Sequence, residues 1–239
     1  MSCPDSFPVA ILAGGRATRL RPITEKIPKS LIDVAGKPFI CRQLEYLSRQ
    51  GVTKVVMCIG HLGEQIEAVV GDGRAFGIEV RYSPDGPILL GTGGALKRAL
   101  PLLGTQFFVL YGDSYLLCDF RAVQQAFVQS DKPALMTVLG NGNRWDKSNV
   151  LFQGGRILEF NKRTPRPDMA HIDYGLGILS TMVLDPYPEN SSFDLADVYH
   201  DLSLANRLEG FEVAERFYEI GSPQGLRAAE AYFTAKEIA

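Results

Sequence analysis

The segment LAGGRATRLRPITEKIPKSL, which begins at Leu12, places five basic side chains behind a pair of glycines: Arg16, Arg19, Arg21, Lys26 and Lys29, against the single acid Glu25. Gly14 and Gly15 let a backbone turn sharply and approach a ligand closely, with N–H groups left to face an anion. This combination suits a polyphosphate. The ordinary alternative is a glycine turn followed by a solvated basic face. Position favours the ligand, because the preceding run PVAILAG from Pro8 reads as a strand, and ligands of alternating α/β sheets gather at the carboxyl ends of strands. Neither GxGxxG nor GxxxxGK[ST] is present, so the dinucleotide and P-loop fingerprints are both missing.

Two acids could complete such a site. QFFVLYGDSYL ends an apolar strand on Gly112 and Asp113, leaving a carboxylate at the strand's carboxyl end, and Glu219 follows much later in RFYEIGSPQG. A lone Gly-Asp is usually a turn. Magnesium, however, needs only one or two carboxylates when phosphate oxygens and water fill its other positions. A further glycine cluster, Gly91, Gly93 and Gly94 around Thr92, precedes a helical segment and reads equally as a tight loop capped by Thr92 or as a ligand contact. Cys3, Cys41, Cys58 and Cys118 form neither CxxC pairs nor a Cys/His metal pattern, and read as small apolar residues in a reducing compartment.

The elements that must position these residues alternate. Strand-like runs VTKVVMCIG from Val52, IEVRYS from Ile78, QFFVLYGD from Gln106 and PALMTVLG from Pro133 are separated by helical spacing over 37–51, 62–73, 93–104 and 119–131. Such alternation implies βαβ units and a Rossmann-like, mostly parallel central sheet with helices on both faces. NVLFQ, GRILEFNK and IDYGLGILS then follow with little helix between them, as a small antiparallel extension that could cap a second substrate pocket. Helices over 194–210 and 223–239 enclose the strand FEVAER, and the polar segment 162–171 reads as a mobile loop. No internal repeat or long linker divides the chain, so a single domain over 1–239 is expected.

With 25 Lys and Arg against 27 Asp and Glu, the formal charge of −2 offers no global field for nucleic acid or anionic lipid. Hydrophobic residues at 46% and charged residues at 22% are ordinary for a globular protein. No stretch approaches the roughly 20 apolar residues of a membrane span, and MSCPDSFPVAILAGG lacks the order of a signal peptide. The expected location is cytoplasmic; a homo-oligomer is compatible with the sequence.

LAGGRATRLRPITEKIPKSLIDVAGKP closely resembles the signature of sugar-1-phosphate nucleotidyltransferases, roughly LAGGxGTRLxPxTxxxPKPLxPVxGKP. The resemblance implies that Leu12, Ala13, Gly14 and Gly15 wrap an NTP, that Arg19 and Lys29 neutralise phosphate charge during transfer, and that Asp113 and Glu219 hold Mg2+. It implies nucleobase contacts from Gly91, Thr92 and Gly93, a sugar-phosphate contact from Lys162, and hydroxyl recognition by Asp173 and Gly175. The nucleotide part is then about 8–140, the sugar-phosphate part about 141–220 and the C-terminal helix 222–238. Ala17, Asn161 and Glu219 depart from the family pattern of Gly, an acid and Asp.

The expected reaction is attack by a sugar 1-phosphate oxygen on the α-phosphate of an NTP, with pyrophosphate leaving. The attacking oxygen is already anionic near neutral pH, so no general base is needed, and His61, His171 and His200 are expected to be structural or solvated. The short form, with LGTGGALKRAL and FYEIGSPQGL, most resembles guanylyltransferases that take GTP and D-glycero-alpha-D-manno-heptose 1-phosphate. UTP-dependent enzymes acting on a hexose or N-acetylmuramate 1-phosphate are the alternative. CMP transfer to phosphocholine, GMP transfer to a pterin phosphate, and a non-catalytic nucleotide-binding regulatory protein are the remaining readings, the last motivated by the three departures.

Overall fold

The computed structural model describes residues 6–238, so Cys3 lies outside the described residues. Strand β1 (Val9–Leu12) leads into the glycine segment, which passes through 3-10 turns at Thr18–Leu20, Ile23–Glu25 and Lys29–Leu31 to a ribbon of β2 (Asp33–Val34) and β3 (Lys37–Pro38). Helix and strand then alternate: α1 (Phe39–Arg49), β4 (Lys54–Ile59), α2 (Gly63–Val70), β5 (Glu79–Pro84), α3 (Gly91–Ala99), β6 (Gln106–Tyr111), β7 (Ser114–Tyr115), α4 (Phe120–Gln129) and β8 (Ala134–Gly140). Strands β9 (Val150–Gln153), β10 (Arg156–Phe160) and β11 (His171–Ser180) follow, then α5 (Leu195–Leu204), β12 (Leu208–Val213), β13 (Tyr218–Glu219) and α6 (Pro223–Ile238).

A 9-stranded mixed sheet runs through the molecule. β5, β4, β1 and β6 lie side by side and parallel, as the alternation requires. β11 joins β6 antiparallel and carries β8 on its other edge, β12 runs parallel to β8, and the β9–β10 hairpin attaches at the start of β11. The architecture is therefore the expected α/β one, with an antiparallel extension after β8.

Successive residues of a strand face opposite sides of its sheet. Val9 and Ile11 pack with Ile40, Leu44 and Leu47 of α1 and with Val123 and Phe127 of α4, while Ala10 faces Leu96 and Ala99 of α3 and Leu195 and Val198 of α5. Burial on both faces is why β1, β4 and β6 read as unbroken apolar runs. A third cluster joins Leu20, Ile32, Val34, Phe39, Tyr115, Ile220, Ala229 and Phe233. Each large apolar side chain fully buried there contributes on the order of 1.5–3 kcal/mol. This cluster fastens the glycine segment, β7, β13 and α6 to one another.

Three of the element boundaries that differ from the sequence expectation have a clear local cause. Lys37 and Pro38 pair with β2, so α1 begins at Phe39. The helix that starts at Gly91 yields to a 3-10 turn at Leu100–Leu102, where Pro101 cannot supply the next N–H. The helix expected over 194–210 stops at Leu204: Asn206 takes a left-handed turn at φ 54, and Leu208 opens β12. The polar segment expected as a mobile loop forms no strand until His171, and Arg166 ties Glu159 and Asp168 together across it. Among the described residues no helix is long and apolar enough to cross a membrane.

Candidate active site

The carboxyl ends of β1 and β6 open into a cavity of about 320 Å³ whose wall includes Leu12, Ala13, Gly14, Gly15, Lys29, Gly91, Thr92, Asp113 and Lys162. The glycine segment is tied to the end of β4 by two backbone hydrogen bonds, Ala13 N–H to the Cys58 carbonyl at 2.9 Å and His61 N–H to the Gly14 carbonyl at 3.1 Å. Beyond them Ala17 adopts φ 46, ψ 47, a left-handed conformation that an alanine occupies at a cost of about 1–2 kcal/mol. The Ala17 carbonyl accepts both Leu20 N–H at 3.1 Å and the Thr24 hydroxyl at 2.9 Å, which holds the segment in that turn.

Asp113 stands where β6 ends. Buried Gln43 on α1 donates its amide to the carbonyls of Tyr111 at 2.9 Å and Ser114 at 2.5 Å, fixing the backbone on both sides of Gly112 and Asp113. The Lys29 ammonium donates to Asp113 Oδ2, joining the basic segment to the strand-end acid. Glu219 reaches the same place through a two-stranded ribbon. β13 pairs antiparallel with β7, Glu219 opposite Ser114, and Ile220 N–H donates to the Asp113 carbonyl at 2.9 Å. A β-carbon at Gly221 would lie 2.6 Å from Glu219 Oε2 and 3.5 Å from Arg19 Nη2, so Arg19 flanks this second acid. Burial, and next the charge of Asp113, push the Glu219 carboxyl above its ordinary range, while Arg19 and Lys29 pull the other way.

A second, larger cavity of about 790 Å³ adjoins the first and shares Tyr111, Asp113 and Lys162 with it. Its wall includes Arg19, Asp173, Gly175 and Glu219, together with Arg144, Trp145, Asp146 and Arg216. Asp173 and Gly175 sit where β11 loses register with β8, and Gly175 takes φ 101, open to glycine and unfavourable for other residues. Asp173 Oδ1 accepts Gly175 N–H at 2.9 Å; burial raises its carboxyl above the usual range despite that bond and nearby Lys162.

Two residues of the second glycine cluster do other work. Gly93 lies under Phe193, where a β-carbon would meet the ring at 2.3 Å, and is not part of the cavity wall. The Thr92 hydroxyl donates to Asp194 Oδ1 at 2.7 Å and accepts Leu195 N–H at 2.8 Å, so it caps α5 rather than its own helix. Asn161, an acid in the family pattern, accepts Thr164 N–H at 2.9 Å and starts the turn after β10. No histidine lines either cavity: His171 pairs with Glu212 and His200 with the Phe160 carbonyl. Cys58 does line the first cavity, but burial and the charge of Asp85 push its thiol up to about 12, which keeps it protonated and unreactive.

Asp85 is a wall residue that the motif reading passed over. It follows Ser83 and Pro84 at the end of β5, and its position before the glycine cluster was the available signal. Asp85 Oδ2 accepts Leu90 N–H at 3.2 Å, whereas Oδ1 is buried without a hydrogen-bond partner.

The donor set at Asp113 and Glu219 fits a hard divalent cation: two carboxylates share one wall, and burial, then the charge of Asp113, raises the Glu219 carboxyl. No group of three or more metal-binding side chains occurs among the described residues, so remaining coordination would fall to phosphate and water.

A family model described as nucleotidyl transferase matches residues 9–148. The chain is 47% identical over 227 residues to N-acetylmuramate alpha-1-phosphate uridylyltransferase of Neisseria meningitidis serogroup B, covering 92% of this chain and 96% of that one. It is 29% identical over 224 residues to D-glycero-alpha-D-manno-heptose 1-phosphate guanylyltransferase of Aneurinibacillus thermoaerophilus, covering 92% and 95%. The solved structure of HddC from Yersinia pseudotuberculosis, complexed with GMP-PN, superposes with a TM-score of 0.78 at 26% identity, over 95% of this chain and 99% of that one. With the glycine segment, the strand-end acid and two adjoining cavities in this arrangement, the chain belongs to the nucleotidyl transferase family, among the sugar-1-phosphate nucleotidyltransferases.

Proposed function

We propose that the chain transfers the uridylyl group of UTP to N-acetylmuramate 1-phosphate, releasing pyrophosphate. The supporting observation for the reaction is that Asp113 and Lys162 belong to both cavities, so a nucleotide in the first and a sugar phosphate in the second would meet beside them. Within one domain, residues of about 8–140 would hold the nucleotide and about 141–220 the sugar phosphate.

The choice of substrates reverses the order expected from sequence, in which GTP and the heptose came first. The 47% identity to the Neisseria uridylyltransferase, against 29% to the heptose guanylyltransferase, favours it.

In the reaction an oxygen of the sugar 1-phosphate forms a bond to the α-phosphorus of UTP, and the bond from that phosphorus to the bridging oxygen breaks, its electron pair leaving with pyrophosphate. Lys29 and Arg19 bring positive charge to the phosphates, and Lys162 orients the attacking group. Asp113 and Glu219 would hold Mg2+, whose chemistry when bound is to neutralise phosphate charge. The glycine backbone at Gly14 and Gly15, on the wall of the first cavity, cradles the triphosphate.

Pyrophosphate release across UTP, GTP, CTP and ATP, each with N-acetylmuramate, glucose, mannose and manno-heptose 1-phosphates, tests this reading. UTP with the muramate sugar should give the highest kcat/KM. A preference for GTP in that matrix would overturn the assignment.

A further inference from the structure

Arg144 and Arg216 both line the second cavity and both stand over the ring of Trp145, the chain's one tryptophan, at 5.8 and 5.5 Å from its centroid. Arg216 also lies 4.6 Å over the Tyr218 ring, and Trp145 makes an edge contact with Phe217 at 6.4 Å. Stacking of this kind holds a guanidinium plane in place while its edge N–H groups stay available. Neither arginine forms an ion pair among the described residues; the Arg216 Nε donates to the Phe217 carbonyl at 3.3 Å. The acids on the same wall are otherwise disposed: Asp113 pairs with Lys29, Glu219 is flanked by Arg19, Asp173 accepts Gly175 N–H, and Asp146 accepts Lys147 N–H. Two charged forks thus face a cavity that already has Lys162 to meet a phosphate.

We propose that Arg144 and Arg216 form a carboxylate-binding subsite that selects a sugar bearing an acid side chain, such as the lactyl ether of N-acetylmuramate, over the same sugar with a free hydroxyl. This rests on the acceptor proposed above. A carboxylate has the planar, two-oxygen shape that a guanidinium edge pairs with, and a hydroxyl offers neither the charge nor the second oxygen. Trp145 backs both guanidinium groups and so holds the pair together at the cavity wall.

The test compares N-acetylmuramate 1-phosphate with N-acetylglucosamine 1-phosphate, which lacks only the lactyl group, in the wild-type chain and in Arg144→Gln, Arg216→Gln and the double variant. The readout is the ratio of the two kcat/KM values from UTP-dependent pyrophosphate release. Where turnover of the glucosamine sugar is too slow, its Ki against the muramate sugar replaces its KM. Each single substitution should reduce the preference by about 10- to 100-fold, the scale of losing a hydrogen bond to a charged group. Thermal melting with UTP checks that each variant folds and binds nucleotide, and Arg216→Lys, which keeps the charge, should retain part of the preference. A wild-type preference that survives the double substitution overturns the subsite alone. A wild-type chain that shows no preference for the muramate sugar overturns the proposed acceptor, and the subsite with it.

Discussion

The ammonium of Lys29 rests on the carboxylate of Asp113, 84 residues further along the chain. Through that contact the basic segment after β1 and the acid at the end of β6 share one site, and the charge that would neutralise phosphate lies beside the group that would hold the metal. The contact also means that Lys29 is pre-paired, so its charge is already oriented before substrate arrives.

Replacing Asp113 with Asn removes one negative charge from the site and leaves the fold intact, because Gln43 and Ile220 bind the neighbouring backbone rather than the carboxylate. We expect kcat to fall by about 100-fold or more, with the melting temperature nearly unchanged. Normal turnover in the purified variant would contradict the role given to Asp113.

Gln43→Leu should act on the same carboxylate from a distance. It leaves the carbonyls of Tyr111 and Ser114 without the amide they accept, at a cost of about 1–3 kcal/mol, and lets the Gly112–Asp113 turn loosen. The melting temperature should drop by several degrees, at about 2–4 °C per kcal/mol for a chain of this size. At a temperature where the variant is fully folded, kcat should still fall about tenfold; an unchanged kcat would show that the turn holds itself.

Glu219 predicts a conflict between stability and function. Its folded-state pKa is raised, by burial first and then by Asp113, above an ordinary value of 4.5, so in the metal-free protein the folded state keeps this proton longer than the unfolded chain does. The contribution of this group to stability therefore declines as pH rises from about the ordinary value through the raised one. Glu219→Gln should melt higher than wild type at neutral pH without metal, lose that advantage at pH below the ordinary value, and bind Mg2+ more weakly. Differential scanning calorimetry over that range, with and without Mg2+, checks the sign.

Ala17→Gly should stabilise the glycine segment. The left-handed backbone at φ 46 costs alanine about 1–2 kcal/mol, and the extra freedom of glycine in the unfolded chain returns part of the gain. A net rise of about 0.5–1 kcal/mol, near 2 °C in melting temperature, is the expected outcome. A fall would mean that the Ala17 side chain makes a contact worth more than the strain.

Most of the α/β half was readable because each element there announces itself by period: Ile40, Leu44 and Leu47 mark a helix face, and β1, β4 and β6 are apolar on both sides. The β7–β13 ribbon was not readable, since two residues per strand carry no period and Ile220 finds its place only against Tyr115, Phe39 and Phe233. That ribbon brings Glu219 to Asp113, so the pairing of the two acids was available only through the family resemblance. Ala17 stands where the family pattern has Gly, and its φ of 46 is the conformation that glycine adopts freely. The packing of Gly93 under Phe193 was not readable, because a glycine that admits a ligand and one that admits a ring look identical in sequence. Arg144 and Trp145 are neighbours on the loop before β9, but Arg216 lies 71 residues further on, between β12 and β13, and no local pattern joins it to them.

The most direct test is a crystal structure of the chain with UDP-N-acetylmuramate and Mg2+. The account predicts uridine in the cavity lined by Gly14, Asp85 and Gly91, the pyrophosphate bridge beside Asp113 and Lys162, and the sugar in the cavity of Asp173 and Trp145. A sugar lying outside that second cavity, or a bridge remote from Asp113, would contradict it.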